Sequence, residues 1–361
     1  MAIQLAAATT SFVIAFLIVP VIIKFSLSKN LVDIPGRRKI HKKVTPSMGG
    51  IAIFVGFIIS SMIWIDLQYW SSIKFFLVAL FVIFFIGVRD DLVPLRWMMK
   101  LTGQLMATSL LIFLFDLKID SFFGVFGIYE IPEVISYLIT LFTIIVITNS
   151  FNLIDGLDGL AGTIAALSLL AFGIWFFVVD EMIFSVLSFA MVGSIFAFLI
   201  FNWEPSEIFM GDTGALVIGM LLAVLSIRFI HVNFDLPVEN PYRFSASIGT
   251  AACFIVIPLV DTLRIVILRL IKKQSPFKPD KSHIHHAIMR LGMSHHQTTL
   301  ILGGVQLFFI VLAIVFHHYS ERYILPGLLI ISITLSLILD RLIIKRLSVK
   351  GLELEEEDEA A

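Results

Sequence analysis

Eleven apolar runs divide this chain, near residues 4–24, 47–65, 73–88, 98–115, 132–149, 159–179, 182–201, 213–230, 246–270, 298–317 and 323–343. A helix that crosses a bilayer needs about 20 mostly apolar residues. Inside hydrocarbon every backbone N–H and C=O must find its partner within the protein, which leaves helices and closed barrels. Runs of this length predict helices. Composition agrees: 58% of the residues are hydrophobic and 15% charged, against about half and a quarter in a soluble domain. The expected fold is an all-α polytopic membrane protein of about eleven transmembrane helices. It forms one domain over residues 1–345, followed by an acidic tail (346–361, with ELEEEDE) read as solvated and disordered.

Basic residues orient the runs, because cytoplasmic loops retain Lys and Arg. With the N-terminus outside, the inside segments are 24–46, 89–100, 150–158, 201–212, 264–296 and the stretch after 340. They hold 21 of the 26 Lys and Arg residues. The C-terminus is then cytoplasmic. The N-terminal run lacks a basic n-region and a cleavage site, so it reads as a retained helix. Segment 116–131 is expected to form a small outer hairpin. A single cysteine, Cys253, offers neither a disulfide nor a thiolate metal site.

Charge is segregated along the chain. Between Lys118 and Arg228 there is no Lys or Arg, yet the inside loops of that window carry Asp155, Asp158, Glu204, Glu207 and Asp212. Carboxylates at a membrane boundary are costly without a nearby cation. A metal ion, or basic loops from elsewhere in the chain, must supply it.

The inside loops hold the candidate chemistry. In DIPGRRKIHKKVTPSMGG, Lys42 and Lys43 suit phosphate capture, although topology alone also explains basic residues there. In RDDLVPLRWMMK, Asp90 and Asp91 suit Mg²⁺, a hard ion that takes oxygen ligands. Neighbours on a helix point about 100° apart, so the two need not face one ligand. Lys100 follows within reach of either. In NSFNLIDGLDGL, Asn152, Asp155 and Asp158 recur every three residues and share a face if the segment is helical; Asp158 is also a candidate cap for the next helix. In FNWEPSEIFMGDTGA, Asp212 precedes a span, where capping is again the bland reading. Phe209 offers a flat face for a base, or is ordinary packing. In PDKSHIHH, His283, His285 and His286 converge poorly on one ion and look more like donors to phosphate. His295 and His296 read as surface residues. Asp261 and Arg264 lie about one helical turn apart and read as a boundary pair.

Taken in order, these strings resemble the polyprenyl-phosphate N-acetylhexosamine-1-phosphate transferase superfamily (glycosyltransferase family 4) over residues 30 to 300. PDKSHIHH resembles the bacterial GlcNAc-type branch. The resemblance implies transfer of GlcNAc-1-phosphate from a UDP-sugar to undecaprenyl phosphate in the bacterial cytoplasmic membrane, starting a cell-envelope polysaccharide. By position it implies Asp212 and Asn152 as Mg²⁺ ligands, with Mn²⁺ able to substitute. Asp90, Asp91, Lys100, His283, His285 and His286 match catalytic positions, and Lys42 or Lys43 the first-loop lysine. Asp155 and Asp158 match nucleotide contacts, and Phe209 the uracil-stacking position. Ala215 departs from the serine of many relatives without removing a ligand. The partners implied are a UDP-sugar, a polyprenyl phosphate lipid and the membrane, with no nucleic acid; a homodimer is compatible. Two other readings stand beside it: a phospho-N-acetylmuramoyl-pentapeptide transferase of the same superfamily, and a secondary transporter. Transporters place ionisable groups near the bilayer midplane, whereas here they gather at one face.

Overall fold

A computed structural model describes residues 1–29, 31–33, 45–271, 273 and 283–360. Lys42 and Lys43 lie outside the described residues. The helices are α1 (Ala2–Ser28), α2 (Gly49–Trp64), α3 (Trp70–Leu92), α4 (Trp97–Phe113), α5 (Glu133–Ile154), α6 (Leu160–Val178) and α7 (Met182–Asn202). They continue with α8 (Gly211–Asp235), α9 (Ser247–Phe254), α10 (Val256–Ile271), α11 (Ile284–Arg290), α12 (His295–Val315) and α13 (Glu321–Ala360). Two-residue strands β1 (Val32–Asp33) and β2 (Thr45–Pro46) pair antiparallel, Val32 with Pro46 and Asp33 with Thr45.

Each expected span contains a helix, but they are not equivalent. Among the described residues, eight helices are long and apolar enough to cross a membrane, or nine if α9 and α10 count as one bent span. Helices α2 (16 residues) and α4 (17 residues) fall short of the usual length. Segment 116–131 is a turn rather than a stranded hairpin, held by Gly124 N–H to Ile128 O and Ile131 N–H to Asp120 O. Helix α13 continues through the acidic segment expected to be disordered; its glutamates and leucines are good helix formers.

Burial orders the bundle. The apolar windows of α7 and α8 are 78% buried, against 11% for α13, which places α7 and α8 at the centre and α13 at the edge. Small and hydroxyl side chains let neighbours approach; Ser60 of α2 donates to the Ala7 carbonyl of α1 at 2.6 Å. The core between them is apolar, with Phe57, Phe76, Phe151, Phe172, Phe198 and Phe229 fully buried.

The span expected over 246–270 is broken. Helices α9 and α10 meet at 89° around Ile255, and a bend strips backbone groups of their helical partners. Gln306 of α12, wholly buried, supplies replacements. Its Nε2 donates to Phe254 O (2.8 Å) and Cys253 O (3.3 Å), while its Oε1 accepts from Ile257 N–H (3.3 Å). Such a break is tolerated in a membrane bundle only where protein groups satisfy it.

Candidate active site

The polar residues of α3, α4, α5 and α8 meet at one end of the bundle. Lys100 Nζ lies 2.7 Å from Asp90 Oδ2 and 2.6 Å from Asp212 Oδ1, and Asn152 Nδ2 donates to that same Asp212 oxygen at 2.6 Å. Four helices thus converge on one carboxylate. Asp90 Oδ1 accepts from the Leu95 N–H at 2.6 Å, so both its oxygens are engaged.

Adjacent aspartates do point apart. Asp91 turns to the start of α8, where Oδ1 accepts from Asp212 N–H (2.8 Å) and Oδ2 from Thr213 N–H (3.0 Å) and the Thr213 hydroxyl (2.5 Å). A helix start has unpaired N–H groups and a positive dipole end, and here the cap comes from another helix. Asp212 therefore does not cap α8; it sits in the first turn, held in place by Asp91. The Asp91→Ala variant is expected to lose about 2–4 kcal/mol of stability, the range for charged hydrogen bonds plus a cap. A lowered thermal midpoint of the purified protein, with Asp91→Asn intermediate, is the check.

Close backbone contact completes the α8 start. Gly50 N–H donates to Met210 O at 2.8 Å, and a β-carbon on Gly50 would meet Gly214 N at 2.0 Å. Gly211 has φ +73°, the left-handed region that favours glycine, and lies against Ser47 O and the Asp91 carboxylate. Phe209 is half-buried; its N–H donates to Pro46 O (2.7 Å) and its carbonyl accepts from Gly49 N–H (2.9 Å). The chain around Phe209 is thereby tied to both ends of the segment that carries the first glycine pair.

Asn152, Asp155 and Asp158 do not share a helix face. Helix α5 ends at Ile154, and the two aspartates lie in the turn that follows. Burial, then the Asp212 and Asp91 charges, push the Asp155 carboxyl up to about 8, opposed by a hydrogen bond from the Gly211 backbone. The folded chain therefore holds a proton that the unfolded chain releases near the ordinary aspartate value of about 3.9. Its contribution to stability is full below that value and disappears as pH rises through about 8. In chelator-treated protein the thermal midpoint should fall across that window, and Asp155→Asn should flatten the fall.

Asp158 does not cap α6, whose N-cap is Gly159. Its Oδ1 accepts from the Ser206 hydroxyl (2.9 Å) and its Oδ2 lies 3.3 Å from His295 Nδ1. Burial acts to raise its pKa, but the His295 and Ser206 contacts outweigh this and hold it below the usual carboxylate range. His295 is half-buried rather than a surface residue, whereas His296 is exposed as expected. His295 pairs with Asp158, while His296 donates its N–H to Glu204 (2.7 Å) and accepts from Trp203 Nε1 (2.9 Å).

The histidine arm folds onto the same end. A β-carbon on Gly156 would lie 2.9 Å from His285 Nε2, so that ring covers the Asp155–Asp158 turn. His285 and His286 rings lie 4.3 Å apart. Burial, then the neighbouring His286, push the His285 pKa down to about 3, so this ring is neutral. Asp261 and Arg264 are not a pair: Asp261 binds His283 (2.7 Å) and Arg264 binds Asp340 (2.5 Å).

Oxygen donors, not a soft-ligand cluster, define the chemistry of this end. Among the described residues no group of three His, Cys, Asp or Glu side chains is arranged to hold a metal ion. Asp90 and Asp212 nevertheless share one ammonium, that of Lys100, while Asp91 and Asp155 stand near Asp212. A donor set of Asp212 carboxylate and Asn152 amide, with surplus negative charge around it, fits a hard divalent cation.

A helical membrane protein with an acidic, one-ended polar site is the class these features define. The chain belongs to glycosyl transferase family 4. The model of that family matches residues 73–230. A relative in Bacillus subtilis (strain 168), named "Probable undecaprenyl-phosphate N-acetylglucosaminyl 1-phosphate transferase", is 31% identical over 307 residues, covering 84% of this chain and 82% of its own. An undecaprenyl-phosphate alpha-N-acetylglucosaminyl 1-phosphate transferase of Pasteurella multocida (strain Pm70) is 32% identical, covering 75% of each chain. A decaprenyl-phosphate N-acetylglucosaminephosphotransferase of Mycobacterium leprae (strain TN) is 28% identical, covering 82% of this chain and 80% of its own.

Proposed function

We propose that this protein transfers GlcNAc-1-phosphate from UDP-GlcNAc to undecaprenyl phosphate in the bacterial cytoplasmic membrane, giving undecaprenyl-diphospho-GlcNAc and UMP. The observation that carries the reading is the meeting of Asp90, Lys100, Asn152 and Asp212 in a chain that matches transferases so named over most of its length. The lipid phosphate oxygen attacks the phosphorus that bears the sugar, forming one P–O bond while the bond to UMP breaks. An ionised phosphate needs no Ser or Cys to act for it, so catalysis is alignment and neutralisation of charge.

Asp212 and Asn152 would hold Mg²⁺, with the Asn152 amide offering Oδ1 in place of the Nδ2 now turned to Asp212. Bound there, the ion supplies positive charge to the diphosphate oxygens. Lys100, held between Asp90 and Asp212, would supply a second positive charge. Asp90 has both oxygens engaged, which supports positioning of Lys100 over acceptance of a proton. Asp155 and Asp158 sit in the turn that would receive the nucleotide, with His285 above it. Lys42 and Lys43 remain candidates for the incoming phosphates.

The test supplies radiolabelled UDP-GlcNAc and UDP-MurNAc-pentapeptide in parallel to purified protein with undecaprenyl phosphate. Label from UDP-GlcNAc should enter a butanol-extractable product only with the lipid and Mg²⁺ present. Incorporation from the muramoyl-pentapeptide donor alone would replace the reading with its sister reaction.

A further inference from the structure

Asp261 is a buried acid with no part in the reaction above. It lies in α10 just past the break, 1% exposed. Both oxygens face the histidine arm: Oδ2 is 2.7 Å from His283 Nδ1, and Oδ1 accepts from the Ile284 N–H at 2.7 Å. A carboxylate at Nδ1 keeps the proton on that nitrogen and leaves Nε2 as the ring atom available elsewhere. His285, whose ring stacks 5.5 Å from that of His283, is buried against Gly156 with no carboxylate at hydrogen-bond distance among the described residues.

We propose that Asp261 is a positioning residue that sets the tautomer of His283 and so makes Nε2 the nitrogen this ring presents to the donor substrate. The inference rests on the transfer reaction proposed above. Two features of the fold support it. The 89° break aims α10 so that Asp261 meets the arm, and the same carboxylate fixes the backbone at Ile284 where α11 begins. One side chain thus sets both the position of the arm and the tautomer of its first ring.

An amide at position 261 would reverse this chemistry. With Ile284 N–H still needing an acceptor, the Asn oxygen faces it and the NH₂ group faces His283 Nδ1. The ring must then hold its proton on Nε2. Asp261→Asn is expected to lower kcat about 10- to 100-fold, the range for a carboxylate that orients a histidine. The donor KM should stay within about threefold, since ground-state binding is left in place. Asp261→Glu, which keeps two acceptors, should retain more activity than Asp261→Asn. In a His283→Gln background Asp261→Asn should add no loss, because one residue acts through the other. Wild-type kcat in Asp261→Asn, the reverse order of the Glu and Asn variants, or full multiplication of losses in the double variant would overturn the inference.

A readout without turnover separates this idea from the function it rests on. In ¹⁵N-histidine-labelled protein, His283→Gln identifies the His283 signals, which should show Nδ1–H in the wild type and Nε2–H in Asp261→Asn. An unchanged tautomer sinks the inference. A wild type that transfers no sugar phosphate sinks the reading of function instead.

Discussion

Asp212→Asn is expected to lower sugar-phosphate transfer about 100- to 1,000-fold, the loss typical when one electrostatic partner of a developing charge is removed. The variant keeps the side chain's shape at the point where Lys100 and Asn152 meet. What it loses is the charge that holds Lys100 between two carboxylates and that would bind Mg²⁺. Fold should survive, because the start of α8 is held by Asp91 through the backbone of residue 212 and through Thr213, not by the Asp212 side chain. Activity is read from labelled product, and folding from elution profile and thermal midpoint. Wild-type turnover by a folded variant would remove Asp212 from the reaction.

A single methyl group should also cost much of the stability. In Gly50→Ala the new carbon would lie 2.0 Å from Gly214 N and 2.5 Å from its Cα, both backbone atoms that cannot rotate away. Helices α2 and α8 would have to separate, breaking the Gly50 N–H bond to Met210 O. A cost of about 3 kcal/mol, the upper part of the range for overpacking, is expected. Protein in the membrane fraction and its thermal midpoint should both fall. Gly304→Ala is the control: nothing lies within 4 Å of a β-carbon there, and alanine in a helix interior gains up to about 1 kcal/mol over glycine. Equal midpoints for the two variants would show that the α2–α8 contact is looser than described.

Hydropathy made the helices legible, since a run such as 182–201 leaves few alternatives to a buried helix. The break in the ninth run was not legible by that measure, because both halves are apolar. Pro258, in the first turn of α10, was the available signal, since it disfavours helix in the residue before it, but Pro20 sits inside the unbroken α1, so proline alone did not mark the break. Candidate site residues were found by type and loop, and four of them touch one another. Their partners were harder to find. Asp91 binds residues 121 and 122 positions away, and no local spacing encodes that contact. His295 was missed because its own neighbours in sequence are bland, whereas its partner Asp158 arrives from another loop. The Asp155–Asp158 spacing suggested a helical face, but the Asp-Gly pairs that follow turn the chain out of the helix first.

Gln306 acts as a fixed molecule of solvent inside the apolar layer. Without it, the corner at Ile255 would have to straighten, admit water or leave three backbone groups bare. The direction of α10 is therefore decided from α12, a helix that contributes no side chain to the convergence on Asp212. Damage at Gln306 should show as a misdirected histidine arm in a protein that still assembles, so that silence of the enzyme and collapse of the bundle become separable failures.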